Sequence, residues 1–436
     1  MESTDPAARR LRGAVIVTGS EVLAGRVIDK NGPYVSQQFA DRGIETAGII
    51  QVGDRREDML AALGQASSWG VDVIATSGGL GPTADDLTLE VVAEYAGRPL
   101  ELHEGMREAV WAKVEKVRER FPDIDVESLR RTSLKQSMQP AGATPLPPVG
   151  TAPGSLVPPS EGAEGPLVVV LPGPPRELQP MWEDAVAREP LAGLLAQAIP
   201  FEERMLRLVG LPESDLAAAL SEFEAGGLEL DRMEITTCMR SGEIEIVTRY
   251  DAEDEALYGR FDAAIRDRYG SRLYSDDGSH VEDVVRRMLL ERGWTIGLAE
   301  SCTGGLVAAK LIDAPGASSF VRGGVVAYDN AVKQSALGVP AEMLDTYGAV
   351  SQEVAEAMAQ GVLAAVGSDC GLAITGVAGP DGGTEEKPVG TVWFAAVVPG
   401  VPPRARKVWI PGDRASVRDR SVTYALHVLR GALEEV

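Results

Sequence analysis

Histidine and cysteine are both scarce in this 436-residue chain, with three of each. The cysteines (Cys238, Cys302, Cys370) are odd in number and widely spaced, and no CxxC pair occurs. A disulfide framework is therefore not expected, and a reducing cytoplasm fits. The histidines (His103, His280, His427) stand apart and never in HExxH spacing, which argues against a catalytic zinc and leaves a Ser-His-Asp triad short of candidates. Long apolar runs are missing, so no bilayer-spanning helix is expected. The polar opening MESTDPAARRLRG lacks the apolar core of a secretory signal. Positive charge is in deficit: 42 Lys and Arg face 65 Asp and Glu, a net charge of −23. That balance argues against nucleic acid or an anionic membrane as a partner, while leaving room for a locally basic pocket that takes a small anion.

Against these absences stand an ordinary globular balance, 44% hydrophobic and 25% charged, and enough length for two to four domains with real cores. In the first part, apolar runs at 13–17, 46–52 and 71–77 read as strands, and helical periods at 31–42, 56–69 and 85–95 alternate with them. This rhythm predicts a parallel sheet covered on both faces. Residues 139–166 are rich in proline and glycine and by composition alone suit a linker. Strand character resumes at once in LVVVL (167–171), so a long loop returning to the same sheet is the better reading. Between 186 and 282 the pattern changes. Runs at 235–237 and 243–250 bracket a Ser241-Gly242 turn as an antiparallel hairpin, and helical periods flank it, giving a small α+β module. From Val281 the α/β rhythm returns, with strands at 295–299, 323–328, 371–375 and 389–398 and a last helix at 415–433.

Three loops of this last part carry candidate chemistry. Ala299-Glu300-Ser301-Cys302-Thr303-Gly304-Gly305 sits at a strand-to-helix junction, where ligands bind in open α/β sheets. Its glycines and the helix N-terminus behind them suit a phosphate or a developing oxyanion, although a plain helix cap would account for Ser301 equally. Tyr328-Asp329-Asn330-Ala331-Val332-Lys333 follows another strand. A serine hydroxyl needs a base, and a lysine serves when its surroundings hold it neutral. Tyr328 is placed to bridge the proton path or orient Lys333; the ordinary alternative for Lys333 is a solvated surface lysine. The third loop, Thr375-Gly376-Val377-Ala378-Gly379, can cradle a phosphate or ribose. Arg414 and Arg418 open the last helix and read either as cationic phosphate contacts or as a charged helix start.

The first part has its own constellation. GGLGPTADDLT (78–88) combines Gly79, Thr83, Asp85 and Asp86; the two carboxylates suit either Mg²⁺ bridging to phosphates or capping of the next helix. Gly19 to Gly25, with Glu21, Asp29 and Asn31, forms a second loop, and 150–154 and 172–177 a third and fourth.

The strings AESCTGG, GGVVAYDNAVK, GAVS, ITGVAGPDGGTEEKPVGTVWFA and GDR resemble the C-terminal domain of the CinA family over 283–436. The resemblance implies hydrolysis of the carboxamide of nicotinamide mononucleotide to nicotinate mononucleotide and ammonia, without a cofactor. Ser301 would be the nucleophile, Lys333 the base and Tyr328 its assistant. Glu300, Thr303, Gly304, Gly305, Asn330, Thr375, Gly376, Gly379 and Arg414 would surround the substrate, with amides at 303–305 holding the oxyanion. Cys302 is the rival nucleophile and ranks below Ser301. Residues 1–185 resemble the MogA/MoaB-like domain of full-length CinA proteins, which implies a pyrophosphatase acting on ADP-ribose with a divalent metal, Mg or Co. Its site would comprise Glu21, Asn31, Gly79, Thr83, Asp85 and Asp86, the two aspartates binding the metal. The chain departs from the family pattern at Ser20, where an acidic residue is usual, and in PGPPREL, where PGVPxEM is more common. Residues 186–282 take the place of a KH-like module. They lack a basic GxxG loop, so a spacer or dimerisation role is expected rather than RNA binding.

The expected architecture is therefore α/β: two three-layer α/β domains, 1–185 and 283–436, joined by the small α+β module 186–282. A cytoplasmic homodimer with no nucleic-acid or membrane partner is expected. The alternative function is a non-catalytic scaffold binding molybdopterin or a nucleotide.

Overall fold

The computed structural model describes residues 10–120 and 133–436. They form two compact units, divided between Phe201 and Glu202. Among the described residues no helix is long and apolar enough to cross a membrane.

The first unit is built on a six-stranded sheet. Its strands are β1 (Leu11–Thr18), β2 (Ile44–Val52), β3 (Val73–Ser77), β6 (Thr144–Leu146), β7 (Gly154–Val157) and β8 (Leu167–Leu171), in the order β2-β1-β3-β8-β7-β6. Strands β4 (Leu100–Leu102) and β5 (Met138–Pro140) pair separately. The pairs β1–β2, β1–β3 and β3–β8 are parallel, while β6 and β7 add antiparallel strands at one edge. Successive side chains of β1 go to opposite faces, as strand geometry requires. Val15 and Val17 pack with Phe39 and Trp182, whereas Ala14 and Ile16 pack with Met59, Leu63 and Val91. A sheet buried on both faces reads as a continuous apolar run, which is why its central strands are visible in the sequence. The 139–166 segment does return to this sheet, and it contributes β6 and β7 on the way.

The expected boundary at 186 is corrected. Leu191, in the short helix Leu191–Leu195, is fully buried in the first unit's core, so the segment as far as Phe201 belongs there.

The second unit holds two sheets. Strands β9 (Glu202–Val209), β10 (Glu234–Arg240), β11 (Glu243–Tyr250) and β12 (Leu273–Ser275) form an antiparallel sheet in the order β10-β11-β9-β12. Leu206, Leu208, Ile244 and Ile246 pack with Leu216 and Phe261 of helices Glu213–Ala225 and Glu255–Tyr269. Buried polar contacts also join this module to the last helix, Arg414–Leu433: His427 Nε2 lies 2.6 Å from Glu243 Oε1, and the Tyr274 and His427 rings meet edge-on at 4.7 Å. It is an integral part of its unit, not a free spacer.

The second sheet runs β14-β13-β15-β16-β17, from β13 (Ile296–Glu300), β14 (Val321–Val326), β15 (Cys370–Gly376), β16 (Thr391–Val397) and β17 (Arg404–Trp409). Strands β13, β14 and β15 are mutually parallel, and the pairs β15–β16 and β16–β17 are antiparallel. Helices cover both faces. Gln352–Val366 starts at Ser351, whose hydroxyl accepts the Val354 N–H, and stops at Gly367, which takes the left-handed conformation that ends helices. Between those caps Val354, Ala355, Met358, Ala359 and Val362 recur at helical spacing and bury one face.

Candidate active site

Neighbouring parallel strands end side by side, so the loops after β13, β14 and β15 are brought together. The ladder continues just past the strand ends: Ser301 N–H donates to the Ile374 carbonyl at 2.9 Å, and Ala327 N–H to the Glu300 carbonyl at 2.8 Å. Ser301 and Lys333, 32 residues apart in the chain, meet here. Lys333 Nζ lies 3.3 Å from Ser301 Oγ, and it also donates to the carbonyls of Ala327 at 2.8 Å and Tyr328 at 3.2 Å. The lysine is only 1% exposed, so it is not the solvated lysine that composition would suggest. Burial lowers its pKa from the ordinary 10.5, with the charge of Asp329 pulling the other way. A neutral amine has two hydrogens and one lone pair. The two carbonyls can take the hydrogens, which leaves the lone pair for the Ser301 proton.

Cys302 is the less suited nucleophile. It is buried, and that burial pushes its thiol pKa up to about 11, so the thiolate is disfavoured.

Two expected roles are corrected. Glu300 does not face a substrate. Its buried carboxylate accepts the N–H groups of Gly305 at 2.9 Å, Val307 at 3.2 Å and Ala308 at 2.8 Å, and so caps helix Leu306–Ile312. A carboxylate at a helix N-terminus is electrostatically favoured there, and it uses up the amides that a phosphate would need. The Gly305 amide is therefore taken from the expected oxyanion donors, and that of Gly304 is bound to the Ser301 carbonyl at 3.2 Å. Tyr328 touches Lys333 through its main-chain carbonyl. Its ring is 62% exposed, and its hydroxyl accepts from Arg414 Nη2 at 3.1 Å rather than reaching Ser301.

The other expected residues lie in the turn after Ser301, in the loops after β14 and β15 and at the start of the last helix. Arg414 Nη1 donates to the Gly379 carbonyl at 2.7 Å, linking the start of the last helix to the loop after β15. A Cβ on Gly379, at φ +81°, would lie 2.6 Å from Val389 Cγ1, so this turn requires glycine. Thr375 Oγ1 donates to the Ala349 carbonyl at 2.8 Å, and Gly376 ends β15 against Val392. Asn330 is exposed at the first turn of helix Asn330–Leu337, behind the Asp329 cap. Thr303 is buried in the turn after Ser301. Sequence reasoning missed Asp329, whose capping side chain sets charge beside Lys333; the signal was its place immediately before a helix.

In the first unit, the loops after β1, β3 and β8 surround a cleft of about 900 Å³. Glu21, Asn31, Gly79, Asp85 and Asp86 line it, together with Asp29, Asp54 and Glu177, whereas Thr83 is not among the lining residues. Asn31 Nδ2 ties the loops together, donating to Ser77 Oγ at 2.8 Å and to the Gly173 carbonyl at 2.6 Å, while its buried Oδ1 has no partner among the described residues. Gly79, at φ +65°, leaves room for the Thr88 hydroxyl, 2.2 Å from where a Cβ would stand. Thr83 N–H and Oγ1 donate to Asp86 Oδ2 at 2.8 and 2.5 Å, and the same hydroxyl contacts Asp85. Among the described residues no group of three or more His, Cys, Asp or Glu side chains converges as a metal cage. At the departing position, Ser20 donates through its N–H and Oγ to Asp54 Oδ2 at 2.9 and 2.7 Å, so an aspartate from the loop after β2 reaches the place the sequence leaves without a carboxylate.

Comparison with known proteins agrees with this division. Residues 278–433 match the family described as CinA C-terminal domain, and residues 14–192 the family described as Probable molybdopterin binding domain. A CinA-like protein of Mycobacterium sp. (strain MCS) is 49% identical over 97% of this chain and 99% of its own. One from Mycobacterium tuberculosis (strain ATCC 25177 / H37Ra) is 46% identical over 98% of each. The crystal structure of a competence damage-inducible protein A from Klebsiella pneumoniae matches with 36% identity and a TM-score of 0.34, covering 36% of this chain and 98% of that one. With relatives this similar along nearly its whole length, the chain belongs to the CinA family.

Proposed function

We propose that the second unit hydrolyses the carboxamide of nicotinamide mononucleotide, giving nicotinate mononucleotide and ammonia. The contact between Ser301 Oγ and the buried Lys333 Nζ carries this reading. Neutral Lys333 takes the hydroxyl proton as Ser301 Oγ bonds to the amide carbon. The C=O electrons move to oxygen and return as the C–N bond breaks. The protonated lysine delivers its proton to the departing nitrogen, which leaves as ammonia. Water, deprotonated by the same lysine, then attacks the ester and frees Ser301. Arg414, exposed and bridging the loops after β14 and β15, would meet the nucleotide phosphate. The test is ammonia release by wild type and Ser301→Ala. Activity that survives in Ser301→Ala removes the nucleophile assignment, and a wild type inert on nicotinamide mononucleotide removes the substrate.

A second reading concerns the first unit's cleft, proposed as a site for ADP-ribose. Its six carboxylates (Glu21, Asp29, Asp54, Asp85, Asp86, Glu177) outnumber Arg26 and Lys30, so a diphosphate is repelled unless a cation accompanies it. Mg²⁺ needs only one or two protein carboxylates when substrate phosphates complete its shell, and Asp85 and Asp86 would supply them. Such an ion would neutralise the diphosphate; Asn31 and the glycine turns would position it. AMP formation from ADP-ribose with Mg²⁺ or Co²⁺, and its loss in Asp85→Ala, is the measurement. No AMP under either metal leaves a binding cleft without catalysis.

A further inference from the structure

Arg418 lies in the first turn and a half of the last helix, where a phosphate contact would be sought, yet its guanidinium is turned inward. Its Nε donates to the Cys302 carbonyl at 3.1 Å and its Nη2 to the Thr303 carbonyl at 3.0 Å. One rigid fork holding two successive carbonyls fixes two successive peptide planes. In a trans peptide the N–H points opposite to the C=O, so the amides of Thr303 and Gly304 face away from Arg418. The Gly304 amide shows where that face looks, because it reaches the carbonyl of Ser301. The Thr303 amide has no main-chain partner among the described residues. The acceptor within its reach is the Cys302 sulfur, a weak one. Three further amides of the junction, those of Gly305, Val307 and Ala308, are taken up by Glu300. The turn also needs a brace: Gly304 and Gly305 have φ of +61° and +98°, and glycine resists rotation least.

We propose that Arg418 is a positioning residue which, by gripping the Cys302 and Thr303 carbonyls, holds the Thr303 amide as the donor for the oxyanion formed when Ser301 attacks an acyl carbon. The inference rests on Ser301 being the nucleophile. It assigns to Arg418 a role distinct from phosphate binding. A donor fixed before the reaction needs no reorganisation as charge develops on the oxygen, which is where such groups gain their effect.

The test compares full-length wild type, Arg418→Ala and Arg418→Lys in two assays. One is ammonia release from nicotinamide mononucleotide. The other is labelling of Ser301 by a fluorophosphonate, in which Oγ bonds to phosphorus, fluoride leaves and the hydroxyl proton passes to Lys333. Arg418→Ala is expected to lose about 100-fold in kcat, with KM within about threefold and labelling slowed in parallel, as for removal of one oxyanion donor. Added guanidinium ion restores part of both rates, and Arg418→Lys, which offers a point charge in place of a fork, falls between. A raised KM with unchanged kcat makes Arg418 a phosphate contact and overturns the proposal. So does an unchanged kcat, or a loss that follows a lowered melting temperature and resists guanidinium. A wild type that labels but releases no ammonia defeats the deamidase reading alone, and the labelling rates then decide the role of Arg418. A wild type inert in both assays defeats both.

Discussion

The two units place their polar groups in opposite circumstances. Around Ser301 the reactive groups are buried and already in contact, and Lys333 is enclosed with its hydrogens directed at main-chain carbonyls. In the first unit, carboxylates and glycine turns ring an open cleft, and Thr83 engages both Asp85 and Asp86. Burial makes a lysine into a base without any ligand, because desolvation disfavours its charge. The carboxyl pKa of the exposed Asp85 is instead lowered, chiefly by its hydrogen bond from Thr83, which keeps it charged. On the proposed reading, the second unit is organised for proton transfer in advance, whereas the first is organised to meet a ligand that brings its own counter-charge.

The strongest way to break this contrast is to remove the base. A positioned general base contributes about 10²–10⁴-fold, and Lys333→Met is expected to lower kcat for ammonia release within that range. Asp85→Ala should leave ammonia release unchanged. Retained activity in Lys333→Met, or an equal loss in Asp85→Ala, would dissolve the distinction. Stability gives a second readout on the same variant. Because the folded-state pKa of Lys333 is depressed, the unfolded chain binds the proton more tightly. Wild-type stability therefore rises with pH between that depressed value and the ordinary 10.5, and below it the burial cost is paid in full. Melting temperatures of Lys333→Met against pH should lack that increment.

A second experiment sharpens the contrast by damaging only the first unit. Trp182 is fully buried, meets Phe39 edge-on at 5.6 Å and donates from Nε1 to Gln38 Oε1 at 3.2 Å. Trp182→Ala is expected to cost about 3–5 kcal/mol of that unit's stability, by lost burial and the cavity left behind. Denaturant titration followed by circular dichroism should show an early transition, with Ser301 still labelled by a fluorophosphonate beyond it. Loss of labelling in step with the early transition would mean that the two units unfold as one.

The sequence made the Ser301–Lys333 pairing legible for a simple reason. Both residues follow apolar strands, β13 and β14, and parallel neighbours end on the same edge. The central strands of both sheets were legible too, as buried apolar runs. Strand β9 was not: Glu202, Glu203, Arg204 and Arg207 mask its period, and the buried Arg207 finds its partners far along the chain, Glu245 at 2.5 Å and the Gly278 carbonyl at 2.9 Å. Strand β17 is an edge carrying Arg404, Arg406 and Lys407, and β6 and β7 are short pieces within a Pro/Gly-rich stretch. Side-chain roles were the least legible. Glu300 stands beside Ser301 yet turns to the helix behind it, and Tyr328 meets Lys333 through its carbonyl. Residue type and position in a motif do not specify which way a loop residue points.

The smallest expected effect is the most specific to the base. Asp329 caps helix Asn330–Leu337, its Oδ1 accepting the Ala331 N–H at 2.8 Å, and its charge favours the protonated form of Lys333. Asp329→Asn keeps a good capping acceptor and deletes the charge. The pKa of Lys333 should then fall further, so more of it is neutral at any given acid pH. The acid limb of kcat/KM, which reports the free enzyme's base, is expected to move to lower pH. The plateau should drop slightly, since a weaker base takes the Ser301 proton less readily. Stability should show the linked effect, with the pH-dependent rise from Lys333 beginning at lower pH than in wild type. A limb that stays in place while Asp329→Asn melts like wild type would mean that some other group titrates in the reaction. The enclosed lysine would then be a structural donor to the Ala327 and Tyr328 carbonyls, and the second unit would be no better prepared for proton transfer than the first.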